Sequence, residues 1–362
     1  MKRVKILLMA MMILPFVFWG CQNKQKEIKI GVVLPLTGNA ASQGQDVQTG
    51  MNMALVDFMN TIDSTLFKVR LIVEDNFSTT RGSVAALEKL IQMQKPSIVV
   101  GPVTATDMLA MIPIAEKNRT ILFSPSVSSP KVSNAGRYIF RMGPLSPDQA
   151  KVITEYAVKE LSIKKIGILF MNDDTGNSHM EAFVSNFTAL GGEIVFNENF
   201  DRNDIDYKPL LLRLRSLNAE ALFIAGTPKT TGLILKQAKE INLDIKFLSS
   251  TGAEGAEFIE IAQNAAEDIV FTSVAINDVF ITRYREIYNQ FPSLGVVLGY
   301  DAMAITLKLL YENPNDTEKL REALSFLEFS GVTGKTVMSD SGDAHKDIAL
   351  KTVRNGEFVF LK

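Results

Sequence analysis

Nine residues, LFSPSVSSP at 122–130, carry four serines and two prolines and no charge. Similar short stretches recur along the chain: PLTGNAASQG at 35–44, GPVTAT at 101–106, NDDTGN at 172–177, GTPKT at 226–230 and STGAEG at 250–255. A hydroxyl both donates and accepts a hydrogen bond, and glycine-rich turns leave backbone N–H groups free to do the same. The chemistry on offer is therefore the holding of a small polar molecule by neutral groups. The plainer use of the same residues is capping and turn-making, with Ser126, Ser128 and Ser129 closing the start of a following helix.

Bond-breaking chemistry finds little support. His179 and His345 are the only histidines, no G-x-S-x-G elbow occurs, and no His or Cys spacing suits a metal. The string GVTGKT at 331–336 is close to a phosphate-binding loop, but Phe329 stands where the first glycine is required. Neither GVVLPLTG nor GILFMNDDTG contains the G-x-G-x-x-G of a dinucleotide site. The expectation is no enzyme, no cofactor and no metal.

These polar stretches need elements to position them, and the apolar pattern supplies two sets. IKIGVVL at 28–34 is β-branched and continuous, and KKIGILF at 164–170 repeats it, Lys29-Ile30-Gly31 matching Lys165-Ile166-Gly167. VRLIVEDN at 69–76 has its counterpart in GEIVFNENF at 192–200, SIVVGPVTAT in ALFIAGTPKTTG, and TILFSPSVSS in IKFLSSTGAEG, at a spacing of roughly 123 to 125 residues. Amphipathic helical segments such as SVAALEKLIQMQ, QAKVITEYAVKEL and TGLILKQAKEI lie between. Strand and helix in alternation predict α/β architecture, two doubly wound parallel sheets covered on both faces. In such sheets ligands bind beyond the carboxyl ends of the strands, where the polar stretches fall. Asp206, before YKPLL, reads as a helix cap with Pro209 in the first turn.

The start of the chain predicts export. Lys2, Arg3 and Lys5 precede an uncharged apolar run at 6–19, too short for a bilayer core of about 20 residues. Gly20 and Cys21 follow, an order that resembles the lipobox of bacterial lipoproteins. That resemblance implies a signal at 1–20, a lipid on Cys21, a tether at 21–27 and a place on the periplasmic or extracellular face of the cell envelope. Cys21 is the only cysteine, so no internal disulfide is available. Of 38 Lys and Arg against 40 Asp and Glu, loss of residues 1–20 leaves 35 against 40, a net charge of minus five that argues against nucleic acid.

Longer motifs in this order, IKIGVVLPLTGNAASQGQDVQTGMNMAL, IVVGPVTATDMLAMIPIAEKNRTILFSPSVSSPKVS, YIFRMGPLSPDQA, LGYDAMAITLKLL and FSGVTGKTVMSDSGD, resemble the type I periplasmic binding proteins, in particular the branched-chain amino acid binding group. The resemblance spans 28–360. It implies two lobes joined by three crossovers, near 143–147, 273–277 and 328–331, that close on a ligand by hinge motion. One lobe would be 28–146 with 275–327, the other 147–274 with 328–362. It further implies a monomer that serves the permease subunits of an ABC importer; a lipoprotein reporting to a membrane sensor would need the same cleft.

Carried over position by position, the resemblance places a ligand against Thr104, Ala105 and Thr106, and against Ser126, Val127 and Ser128. Thr175, Thr227 and Thr251 stand where the group carries two aromatics and its ammonium-binding acid, and Gln43 stands at a further aromatic position. With the usual acid replaced by Thr251, a partner for an ammonium is restored if Glu254, Asp173 or Asp174 swings into the cleft.

Overall fold

The computed structural model describes residues 26–63, 67–314 and 316–361. The signal, Cys21 and most of the tether expected from the sequence lie outside the described residues.

The first half of the chain alternates β1 (Lys26–Leu34), α1 (Ala41–Met59), β2 (Phe67–Asp75), α2 (Thr80–Gln94), β3 (Ile98–Val100), α3 (Ala105–Asn118), β4 (Ile121–Ser124) and β5 (Ile139–Arg141). The second repeats the plan with α4 (Ser146–Lys159), β6 (Lys165–Met171), α5 (Asp174–Ala189), β7 (Glu193–Phe200), α6 (Lys208–Ser216), β8 (Ala221–Ala225), α7 (Pro228–Glu240), β9 (Lys246–Ser249), α8 (Ala256–Ala262) and β10 (Val270–Val274). There follow α9 (Asp278–Tyr288), α10 (Leu294–Glu312), α11 (Thr317–Ser325) and the strands β11 (Glu328–Gly331), β12 (Gly334–Met338), β13 (Ala344–His345), β14 (Ile348–Arg354) and β15 (Glu357–Phe360).

The sequence repeat becomes a topological one. The first sheet runs β2-β1-β3-β4-β5, all parallel, and the parallel part of the second runs β7-β6-β8-β9-β10. Each sheet is covered on both faces, which explains why the strands read as unbroken apolar runs. Val32, Val100 and Phe123 face one core of the first sheet, while Val33, Val99 and Leu122 face the other. In the second sheet Leu222 and Ile224 face one core and Ala221 and Phe223 the other.

The polar strand ends double as helix starts. Thr79, Thr104, Asp173 and Thr227 each accept a backbone N–H of the first turn of α2, α3, α5 and α7. Capping satisfies donors that the helix cannot. It also fixes the direction in which each turn leaves its strand. Asp206 is one residue away from its expected place, because α6 starts at Lys208 with Tyr207 as the half-in residue, and the Asp206 carboxylate accepts the Lys208 N–H at 3.2 Å.

Helix α10 is long and apolar enough to cross a membrane by composition, but it is mostly buried against α1. A Cβ on Gly50 would lie 1.9 Å from the Val296 carbonyl oxygen, and one on Gly299 2.4 Å from that of Val47. Only hydrogen at both positions lets the two backbones approach so closely.

One boundary differs from expectation. Residues 328–362 do not all join the second half. Met338 and Ala344 are buried in the core of the first sheet, and the Arg141 N–H donates to the Gly342 carbonyl at 2.9 Å. Buried Arg141 also pairs with Asp343 at 2.7 Å, and its burial lowers the guanidinium pKa against the support of that carboxylate. The chain enters the second sheet only at β14, antiparallel to β10. Short strands with few apolar residues carry no periodicity that assigns them to either core; the side chains of Met338 and Ala344 decide it.

Candidate functional site

The carboxyl ends of the two sheets face each other across a cavity of about 130 Å³. From the first half its wall takes Gln43, Asp46, Val47, Val103, Thr104, Ser126 and Ser128, with Ser293, Leu294 and Gly295 from the start of α10. From the second come Met171, Asp173, Thr175, Gly176, His179, Arg202, Thr227, Ser250, Thr251 and Glu254, with neighbouring backbone.

On the first-half side Ser124, Ser126 and Thr104 are tied to nearby backbone. Ser126 Oγ donates to the Val103 carbonyl at 3.2 Å, and Ser124 Oγ accepts the Val127 N–H at 3.1 Å. Thr104 caps α3 through the Asp107 N–H at 3.3 Å. Asp46 accepts the Ser293 hydroxyl at 2.6 Å, which joins α1 to the cap of α10. Desolvation raises the Asp46 pKa, opposed by the Ser293 hydrogen bond and reinforced by the charge of Glu257.

On the second-half wall the carboxylates are committed. Asp173 accepts the Gly176 N–H at 2.8 Å and pairs with Arg202 at 3.1 Å. Arg202 Nη1 is buried with no acceptor. Glu254 pairs with Lys351 of β14, and Ser273 donates to its other oxygen at 2.7 Å. Burial lowers the Lys351 pKa and Glu254 holds it up, and the ammonium also lies 4.9 Å from the Phe291 ring centre. Thr227 is engaged in a reciprocal capping box with Thr230.

Polar contacts cross directly between the walls. Ser128 Oγ lies 3.3 Å from His179 Nε2, and Ser129 Oγ 2.7 Å from Ser178 Oγ. Asp174 accepts Thr106 at 3.1 Å and Lys131 at 2.7 Å, so both act to lower its pKa, while Ser42 donates to Glu257 at 2.8 Å. Burial alone pushes His179 down to about 4. A serine beside a histidine suggests a nucleophile and its base, but a base this weak is far from the useful range near 7. The pair is a contact between halves.

Of the residues expected from the sequence, Gln43, Thr104, Ser126, Ser128, Thr175, Thr227, Thr251 and Glu254 meet in this cavity. The side chains of Ala105 and Val127 are buried in the core between α3 and the first sheet, which leaves their backbone groups as what these two positions can offer a ligand. Thr106 is directed instead to Asp174, outside the cavity wall. Glu254 reaches the wall, but its carboxylate is occupied by Lys351. Asp173 and Asp174, the other candidates for an ammonium, are paired with Arg202 and Lys131.

Sequence reasoning missed Asp46, His179, Arg202 and the 293–295 turn. Two of these had a signal. Asp46 follows Gln43 by three residues and His179 follows Thr175 by four, so each shares a helix face with a residue already chosen.

A cavity between two α/β halves, walled by hydroxyls, apolar side chains and helix starts, defines a binding protein for a small molecule. Among the described residues no group of three His, Cys, Asp or Glu side chains could hold a metal. Comparison with known proteins agrees with the geometry. The chain belongs to the periplasmic binding protein family, whose family model matches residues 27–357. It is 24% identical over 329 residues to the leucine-, isoleucine-, valine-, threonine- and alanine-binding protein of Pseudomonas aeruginosa, covering 87% of each chain. The crystal structure of a leucine-binding protein from Thermotoga maritima superposes with a TM-score of 0.86 at 28% identity, covering 92% of this chain and 98% of that one. A branched-chain amino acid transporter substrate-binding protein of Streptococcus pneumoniae, solved with isoleucine, gives 0.85 at 26% identity over 92% and 98%. The chain is accordingly an extracytoplasmic solute-binding protein of the type I fold, and not an enzyme.

Proposed function

We propose that this chain is the lipid-anchored solute-binding component of an ABC importer, carried on Cys21, that captures an amino acid or a related small polar compound. The cavity between facing strand ends carries this reading, because its two walls belong to different sheets and touch directly, as in Ser128 with His179 and Thr106 with Asp174, so hinge motion that parts them opens the site. The moving bodies are 28–146 with 275–327, and 147–274 with β14 and β15; residues 334–345 travel with the first. Gln43, Thr104, Ser126, Ser128, Thr175, Thr227, Thr251 and Glu254 form the ligand wall. Relatives named for leucine, isoleucine, valine, threonine and alanine support the amino acid class. Hydroxyls at Thr175 and Thr251 favour a more polar member of it.

A thermal-shift screen of amino acids, amides, small acids and sugars tests the proposal. A ligand at about 100 times its Kd adds about 2.7 kcal/mol to the folded state. Saturation at one ligand per chain is expected; no shift across the whole library rejects the reading.

A further inference from the structure

We infer that Asp46 of the first half, and not a carboxylate of the second, is the residue that holds a cationic nitrogen of the ligand, so that the cavity selects molecules bearing an ammonium or guanidinium group. The inference rests on the proposed amino acid class and narrows it.

Three carboxylates line the cavity: Asp46, Asp173 and Glu254. Two are matched by cations of the protein. Arg202 sits on Asp173 at 3.1 Å, and Lys351, wholly buried, sits on Glu254, whose second oxygen takes the Ser273 hydroxyl. Neither has a charge left to offer. Asp46 differs, because among the described residues it makes no ion pair and its one side-chain partner is the Ser293 hydroxyl at 2.6 Å. The charged group acting on it is another acid, Glu257 of α8. Arg202 is the one cation in the wall; its Nη2 is paired with Asp173, and its Nη1 has no acceptor.

An anion withdrawn from water with no counter-charge is costly, and the cost falls when a cation arrives. The raised pKa of Asp46, caused first by burial, is the sign of that unmet cost. Its place on the first turns of α1, on the wall shared with Gln43 and Ser293, puts the carboxylate against whatever fills the cavity. An ammonium also suits the remaining groups, since it donates three hydrogen bonds and neighbouring hydroxyls accept them.

Isothermal titration calorimetry with L-leucine, L-threonine, L-lysine and L-arginine, each beside an analogue lacking the amino group such as 4-methylpentanoate for leucine, tests this without altering the protein. Only the amine-bearing member of a pair is expected to bind. Asp46→Asn keeps an acceptor for Ser293 and removes the charge, so the variant should melt no lower than the parent without ligand. Its affinity for the best amino acid should fall at least about tenfold, the range of a hydrogen bond to a charged group. Equal binding of a deaminated analogue, or an amino acid held equally well by parent and variant, overturns the inference while leaving the amino acid reading intact. Failure of every probe to bind rejects that reading, and this inference with it.

Discussion

On the first-half wall Asp46 has a single hydroxyl as its side-chain partner, whereas on the second-half wall Asp173 and Glu254 are each matched to a cation. The two walls descend from one strand order and one way of starting helices at strand ends. They differ in what lies behind them. Behind the second wall runs β14, an antiparallel strand that the first sheet lacks, and it delivers Lys351 to Glu254. Behind the first lies α10, whose cap delivers only the neutral hydroxyl of Ser293 to Asp46. A duplicated fold can thus carry unlike charge on its two faces without changing its sheets, because the late segments of the chain decide which acids are neutralised.

The largest expected effect comes from unbalancing the second wall. Lys351→Met leaves Glu254 buried without its cation, and urea unfolding should show a loss of about 3–5 kcal/mol. The double change Lys351→Met with Glu254→Gln should recover most of it; if the single variant loses under 1 kcal/mol, the pair is not what stabilises that wall.

Acid should act next, through His179. Its pKa of about 4 in the folded protein lies below the ordinary 6.5, so the unfolded chain binds the extra proton in that window. Stability from this group is complete above about pH 6.5 and declines toward pH 4, by up to about 3 kcal/mol. His179→Asn should flatten the part of the pH–stability curve between 6.5 and 4, and an unchanged slope would place the acid sensitivity elsewhere.

Removal of the hydroxyl on the other side of that contact is a smaller change. Ser128→Ala should weaken ligand binding by about 0.5–3 kcal/mol by calorimetry if the hydroxyl meets the ligand. Unchanged affinity with a lower melting point would instead leave Ser128 as a partner of His179 alone. The least effect is expected at Thr227, whose hydroxyl is already occupied by its capping box. Thr227→Ala should cost about 1 kcal/mol of stability and leave affinity nearly level; a loss confined to affinity would show that the cap yields to the ligand.

Much of the architecture was legible because it is periodic. Unbroken apolar runs such as IKIGVVL and KKIGILF specify strands buried on both faces, and their repetition specifies two sheets of one order. The polar punctuation after each run specifies where the sheets would be open to a ligand, and most of the residues chosen there do meet. Ala105 and Val127 sit in those same stretches yet turn into the core, since neighbours along a tight turn point in different directions. Residues 334–345 pack against the first half because Met338 and Ala344 are buried in its core, and two isolated apolar positions carry no period.

What the sequence by itself determined is the class of the protein: local propensity and repeat suffice for two α/β halves, and hydroxyl-rich strand ends suffice for a neutral, polar cleft. What only the tertiary structure decided is the charge of that cleft. Lys351 stands 97 residues from Glu254 and Ser293 stands 247 from Asp46, and no local pattern connects either pair. Electrostatic compensation depends on distance in space and on exclusion of water, so it was fixed only when the last strands and α10 packed behind the two walls.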